Sequence, residues 1–350
     1  MPAMRRSFSR TPIAFWSWRG VGWWRSSEGP SSPGRASSPP VCGPEGVMAR
    51  VPYLPALLLA LLLFLGNAVL APALVDPTNL ARFLFSALPL ALLAAGQTLV
   101  ILGGGIDLSS GALLTLSLVV AAALFGERPL LAPLVALLVA AAGGLVNGLA
   151  VAYLRLQPLV ATFATGFLFG GLALWVMPRP GGSVPPGFQD LFAPTWVPPT
   201  CFLLLALLGR LVAGSPFGRC LYAAGGSPQA AYANGVPVPR VLLQAYLTGG
   251  LLSGAGGLLL LAETGTGDPL VGQPLTLPAI AAVALGGTRL SGGAGSVEGS
   301  LLGALLIALF RNLVFFLGVP SNLQLLAEGV VVLLALAASN ALLGRRLWSG

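Results

Sequence analysis

A chain of 350 residues with 56% hydrophobic and 8% charged residues, and a mean hydropathy of +0.88, is no soluble domain, where about a quarter of residues would be charged. The composition is that of a polytopic membrane protein. All 18 basic residues are Arg and His is absent, which excludes mechanisms needing a His base, a His metal ligand or a His proton relay.

Residues 1–47 differ in kind from the rest. The stretch "WSWRGVGWWRSSEGPSSPGRASSPP" is rich in Arg, Ser, Pro and Trp, with no apolar run long enough to span or to form a secretory core. It is expected to be disordered, or to be upstream sequence preceding a start at Met48; the other reading is a targeting or regulatory tail. Seven of the 18 Arg lie in the first 50 residues, so the net charge of +8 implies no nucleic-acid partner. Residues 48–350 form the membrane domain.

A spanning helix needs around 20 mostly apolar residues. In chain order the candidates are 52–72, 84–102, 108–125, 130–152, 159–177, 199–213, 241–262, 276–288, 296–318 and 324–343. The expected fold is therefore all-α, a polytopic bundle of about ten transmembrane helices, some short or broken. The eighth is too short to span alone, and Gly- and Pro-broken segments of that kind often line a pathway. With the start inside, eight Arg fall on the cytoplasmic side (Arg50, Arg155, Arg210, Arg219, Arg240, Arg289, Arg345, Arg346) against three outside (Arg82, Arg128, Arg179). The excess predicts a cytoplasmic N-terminus.

Two connections are long. "PRPGGSVPPGFQDLFAPTWVPP" (178–199) is external, with Trp196 placed for the interfacial belt. "SPFGRCLYAAGGSPQAAYANGVPVPR" (215–240) is internal, with a short helix-like stretch, Pro228 to Ala233, between Gly225-Gly226 and Gly235. Between the second and third spans lies "GGGIDLSSG", where Asp107 reads as a cap for the third helix and Gly104 and Gly105 permit a sharp turn. A role for Asp107 in the solute path is the sharper alternative. Intramembrane charge is otherwise sparse: Arg311 falls within the ninth span, and Glu263, Glu298 and Glu328 near span ends.

Several chemistries are missing. No G-x-x-x-x-G-K-S/T phosphate loop occurs, so this chain does not split a nucleotide by that route. "GGAGS" at 292–296 lacks the Lys that would reach a phosphate. Cys42, Cys201 and Cys220 form no metal or disulfide pattern. No catalytic residue, metal site or cofactor is expected, and the chain reads as no enzyme. What remains is a pore powered from elsewhere, or a secondary carrier that works without an ATPase.

Four motifs then converge. "GQTLVILGGGIDLSSGALLTLS" (96–117), "QPLVATFAT" (157–165) after Asn147-Gly148, "FGRCLYAAGGSPQAAYANGVPV" (217–238) and "AIAAVALGGTRLSGGAGSVEGSLLGA" (279–304) resemble, in order, the signatures of permease subunits of the ribose/xylose/arabinose/galactose-type ABC importers. The resemblance covers about residues 50–345. Ser227-Pro228, Asn234, Arg289 and Gly103 depart from the family pattern, which weakens any inference about the particular solute.

The resemblance implies carbohydrate import across the bacterial cytoplasmic (inner) membrane. Its partners would be two ABC ATP-binding subunits, an extracytoplasmic sugar-binding protein and a second permease copy, identical or not. The cargo would be a monosaccharide or similarly small polar solute, with nucleosides or branched-chain amino acids as the alternative. Phe217, Gly218, Arg219, Tyr222, Gly225, Gly226, Ala230, Ala231 and Gly235 would form the loop that couples to the ATPase. There Ala230 and Ala231 would give the docking face, and the glycines pliant ends. Gly104, Gly105, Asp107, Ser109, Asn147, Thr162, Gly286 and Gly287 would mark helix breaks or the pathway.

Overall fold

The computed structural model describes residues 54–182, 184–320, 323, 326, 329 and 330. Residues 1–47, Met48, and nearly all of the expected span 324–343 lie outside the described residues. Among the described residues the chain is helical, and its one β pairing is the isolated bridge Gly181–Gly267. In order run α1 (Leu54–Leu70), α2 (Pro77–Leu102), α3 (Ser110–Leu124), α4 (Ala132–Ala152), α5 (Pro158–Val176), the short α6 (Pro186–Asp190), α7 (Val197–Gly214), α8 (Pro216–Gly226), α9 (Pro228–Ala233), α10 (Val238–Thr264), α11 (Thr276–Leu285) and α12 (Val297–Phe316). Six of these (α2, α4, α5, α7, α10 and α12) are long and apolar enough to cross a membrane, and α1, α3 and α11 are shorter apolar helices. This is the expected all-α polytopic bundle.

The second span starts at Pro77 rather than residue 84. Asp76 explains the difference: its carboxylate accepts from the N–H groups of Thr78 (2.9 Å) and Asn79 (3.3 Å), and Pro77 occupies the first helical position. An N-cap followed by Pro is a strong start signal that a hydropathy window passes over.

Burial sorts the helices. In α2 the most apolar window is 83% buried, against 61% in α10, 28% in α5 and 11% in α7. Hence α2 runs through the middle, while α5 and α7 turn most of their apolar surface outward, where lipid is the solvent. Lipid supplies no hydrophobic drive between helices, so close backbone approach must hold them. α10 packs on α2, α4 and α3 through small residues: a Cβ on Gly250 would lie 2.8 Å from Gly144 Cα, and one on Gly96 would lie 3.1 Å from Gly249 O.

Candidate functional site

The polar centre of the bundle forms where α2 stops. Gly104 N–H donates to Ile101 O (2.8 Å) and Gly105 N–H to Val100 O (3.1 Å), with Gly104 at φ +86. This is a Schellman ending, and its left-handed position favours Gly. Five residues later α3 begins, with Ser109 as its N-cap. Asp107 is therefore not the cap itself, as the sequence implied. Its Oδ1 accepts from Ser109 N–H (2.8 Å) and Ser109 Oγ–H (2.7 Å), so it holds the capping residue from two positions upstream.

Neighbouring helices complete the arrangement. Asn147 of α4 donates through Nδ2 to Ser109 Oγ (2.7 Å), and Thr165 of α5 donates through Oγ1 to Asn147 Oδ1 (2.6 Å). Every donor in the series Thr165–Asn147–Ser109 points toward the Asp107 carboxylate. Thr162, one turn before Thr165, accepts from Leu108 N–H (3.0 Å) and lies 3.2 Å from Ile106 O, which clamps the backbone on either side of Asp107. Asp107, Ser109, Asn147 and Thr162 are each 2% exposed or less. Buried polar groups that partner one another hold one geometry, because each unmade bond would cost about 1–3 kcal/mol.

Four of the residues marked from sequence as a helix break or pathway thus meet in one network. Gly104 and Gly105 form its backbone edge, where a Cβ on Gly105 would come 2.5 Å from the Tyr246 hydroxyl. Gly286 and Gly287 are elsewhere, at the end of α11. There Gly287 N–H donates to Ala284 O (3.0 Å) and Thr288 N–H to Val283 O (3.2 Å), with Gly287 at φ +83, a second Schellman ending.

The segment predicted as a coupling loop is two helices rather than one. Ser215 caps α8, accepting from Gly218 N–H (3.1 Å), and Ser227 caps α9, accepting from Ala230 N–H (3.3 Å), with Pro228 in its first turn. Arg219 donates through Nη1 to Gly214 O (2.8 Å), which satisfies the carbonyl end of α7. Phe217 is partly buried against the core.

Two expectations need correction. Gly225 and Gly226 are not pliant ends: they close α8, and Gly225 is wedged so that a Cβ would lie 2.7 Å from Gly293 N. Ala231 is not on a docking face: it is 5% exposed and belongs to the core with Val236 and Leu221. The outward residues of α9 are Gln229, Ala230, Tyr232 and Ala233, of which Tyr232 is 63% exposed. Helical rotation over so short a piece cannot be read from small residues alone. Gly235, at φ +82, ends α9 as expected.

Gly225 belongs to a junction of three segments. Gly293 N–H donates to Leu102 O (3.0 Å), a Cβ on Gly292 would lie 2.9 Å from Gly104 Cα, and one on Gly293 would lie 2.7 Å from Gly226 Cα. The end of α2, the end of α8 and the loop after α11 therefore touch backbone to backbone. Tyr222 of α8 adds a side-chain tie, donating to Gly295 O (2.7 Å). Burial, and secondarily the nearby Glu298 carboxylate, pushes the Tyr222 hydroxyl up to about 12, so this donor keeps its proton throughout the physiological range. Sequence reasoning missed Thr165, Tyr246, Gly292 and Gly293. For Thr165 a signal existed, since Thr162 and Thr165 share one face of α5.

Apolar helices interrupted by Gly breaks around a buried polar network define a class: the polytopic helical membrane protein. The chain belongs to the family described as branched-chain amino acid transport system / permease component, whose model matches residues 79–336. It is 38% identical over 302 residues to the ribose import permease protein RbsC of Bacillus subtilis, covering 83% of this chain and 92% of that protein. Identity to RbsC of Escherichia coli strain K12 is 35% over 301 residues, with 81% and 92% covered. The autoinducer 2 import system permease protein LsrD of Salmonella paratyphi A is 31% identical over 304 residues, with 82% and 92% covered. No solved structure matches.

Proposed function

We propose that this chain is the translocation subunit of an ATP-binding-cassette importer in the bacterial cytoplasmic membrane. It passes a monosaccharide of the ribose, xylose or galactose kind, delivered by an extracytoplasmic binding protein. Two permease copies stand over two ATP-hydrolysing subunits, and the N-terminal end faces the cytoplasm. Relatives named for ribose and autoinducer 2 import support a small polar cargo. The Arg-bearing ends support the orientation: Arg155, Arg210, Arg219, Arg240 and Arg289 lie at the junction end of their helices, against Arg82, Arg128, Arg179 and Arg311 toward the other.

The observation that carries the coupling assignment is the backbone junction of α8 with both helix breaks. A contact made through Cα, N–H and C=O has no side-chain rotamers to absorb a displacement. A push on the outward face of α9 reaches α8, then Leu102 and Gly104, and so the Asp107 network. The docking face on this reading is Ala230, Tyr232 and Ala233, with Phe217, Gly218, Arg219, Tyr222, Gly225, Gly226, Ala231 and Gly235 holding it in place.

The test is to place charge on that face. Ala233→Arg and Tyr232→Glu should leave the folded permease intact but abolish both co-purification of the ATPase and uptake of labelled ribose. Gly187→Glu, at a position with nothing within 4 Å in the connection opposite, should leave both unchanged. Full transport by Ala233→Arg and Tyr232→Glu would reduce α8–α9 to a connector. Uptake of ribose, uridine and leucine measured in parallel assigns the cargo, and uptake that survives loss of the ATPase genes would make the chain a secondary carrier.

A further inference from the structure

Tyr246 of α10 is 1% exposed and packs in an apolar cluster with Val100, Val151 and Ala161. Its hydroxyl is buried and has no hydrogen-bond partner among the described residues. A buried donor left unpaired costs stability, and a phenylalanine here would carry no such cost. The hydroxyl is aimed at the break between α2 and α3, where a Cβ on Gly105 would lie 2.5 Å from it. Asp107 follows two residues later, close enough for its carboxylate to act electrostatically on the hydroxyl. We propose that Tyr246 is a latch for a second state of the permease, in which a shift of the α2–α3 break brings the Asp107 carboxylate onto the Tyr246 hydroxyl. The proposal rests on the importer reading, which supplies the drive.

The two groups are complementary. A carboxylate only accepts and has room for about four hydrogen bonds. Ser109 makes two, both to Oδ1, so Asp107 can take a further donor without releasing its anchor. A phenol hydroxyl is such a donor, and a hydrogen bond to an ionised acceptor is stronger than one between neutral groups. The groups also differ in how they are held. Tyr246 is fixed, because α10 packs against α2, α3 and α4, with Gly144 of α4 set against the Tyr246 carbonyl. Asp107 lies in the segment between the end of α2 at Leu102 and the start of α3 at Ser110. That segment begins at the junction, where Gly293 N–H donates to Leu102 O and Gly292 presses on Gly104. A displacement of α8 therefore reaches the segment through backbone contacts. An equilibrium between two states moves only by what differs between them. A hydroxyl unpaired in one state and bonded to a carboxylate in the other is such a difference, and it favours the second.

The test is Tyr246→Phe in the complete importer, reconstituted in proteoliposomes. The lost hydroxyl has no partner to orphan, so the thermal midpoint should not fall and the ATPase should still co-purify. ATP-driven uptake is read with whichever of ribose, uridine and leucine the wild type carries. Its maximal rate should fall about fivefold or more, the scale of one hydrogen bond to a charged group, with KM unchanged within about twofold. Tyr153→Phe, which removes a hydroxyl from an exposed ring, should change neither. A second readout follows the hydroxyl itself. The chain has five Tyr, so after 3-fluorotyrosine labelling the fluorine resonance lost in Tyr246→Phe is that of Tyr246. This resonance should move between the nucleotide-free importer and the importer trapped with ATP and vanadate. In the folded fraction of Asp107→Asn the movement should shrink by about half or more, as expected when a charged acceptor becomes neutral. A wild-type maximal rate in Tyr246→Phe would make the hydroxyl idle, a raised KM at unchanged rate would make it a solute contact, and a lowered midpoint would mean that it is already bonded. Each of these, or a resonance that stays still or moves equally in Asp107→Asn, would overturn the latch and leave the importer reading standing. A wild type that carries none of the three solutes on ATP would overturn the importer reading and the latch with it.

Discussion

The chain interrupts its helices twice in the same way and finishes the two interruptions differently. α2 and α11 both end in Schellman turns around a left-handed glycine, Gly104 and Gly287. After Gly104 the backbone runs through the interior, and its polar groups are met from other helices: Thr162 of α5, and Asn147 of α4, which Thr165 of α5 holds in turn. After Gly287 the loop mostly satisfies itself, with Arg289 N–H donating to Ala294 O (2.9 Å) and Gly292 N–H to Arg289 O (3.0 Å). There Ser296 N–H reaches Thr288 Oγ1 (3.2 Å), and Ser296 caps α12 through Gly299 N–H (3.1 Å). Arg289 is exposed, whereas Asp107 is 2% exposed. A break enclosed by neighbours needs a charged anchor and partners far away in sequence. A break whose tip reaches the surface at Arg289 can be closed largely by its own Gly, Ser and Thr, with Leu102 and Tyr222 tying it to α2 and α8.

That contrast ranks substitutions. Asp107→Ala should be the most damaging, because it leaves the Ser109 N–H and hydroxyl unpaired in the interior at about 1–3 kcal/mol each. Little folded permease should elute on gel filtration in detergent, and Asp107→Asn, which keeps an acceptor, should recover part of it. A normal elution profile for Asp107→Ala would mean that the interior break needs no anchor. Gly293→Ala comes next: the residue is at φ +73, where an L side chain costs about 1–2 kcal/mol, and its Cβ would press on Gly226 Cα. It should lower the thermal midpoint and also weaken the coupling of ATP hydrolysis to uptake.

Gly104→Ala and Gly287→Ala test whether the two endings are equivalent. Each should cost about 1 kcal/mol by forcing an L residue into a left-handed turn, and similar midpoints would confirm the shared ending. Ser296→Ala removes one cap hydrogen bond and should cost about 1 kcal/mol or less. Arg289→Gln should be the mildest, within about 0.5 kcal/mol. A larger loss there would show that the surface break also depends on its charge.

Much of this was legible along the chain, for local reasons. Apolar runs marked most of the spans, because a lipid-crossing segment must be apolar over its whole length. Gly225 to Gly235 framed α9, and "GGGID" and "LGGT" marked the breaks, because left-handed turns select Gly. Even the overlooked start of α2 was written as Asp76-Pro77, a cap that hydropathy does not weigh.

The directions in which side chains face were decided by tertiary structure. In a soluble helix the apolar stripe points inward, but a span that is apolar all round carries no such stripe. Nothing local therefore showed that Ala231 turns into the core while Ala230 and Ala233 face out, or that Gly225 is a packing residue rather than a hinge. Asn147 and Ser109, 38 residues apart, and Leu102 with Gly293, meet only because helices from distant parts of the chain cross there. The sequence by itself determined where the chain enters and leaves the bundle and where it must bend, since those depend on transfer into lipid and on backbone sterics. Tertiary structure alone decided which polar groups complete one another, since a buried hydrogen bond needs two partners and the chain order names only one.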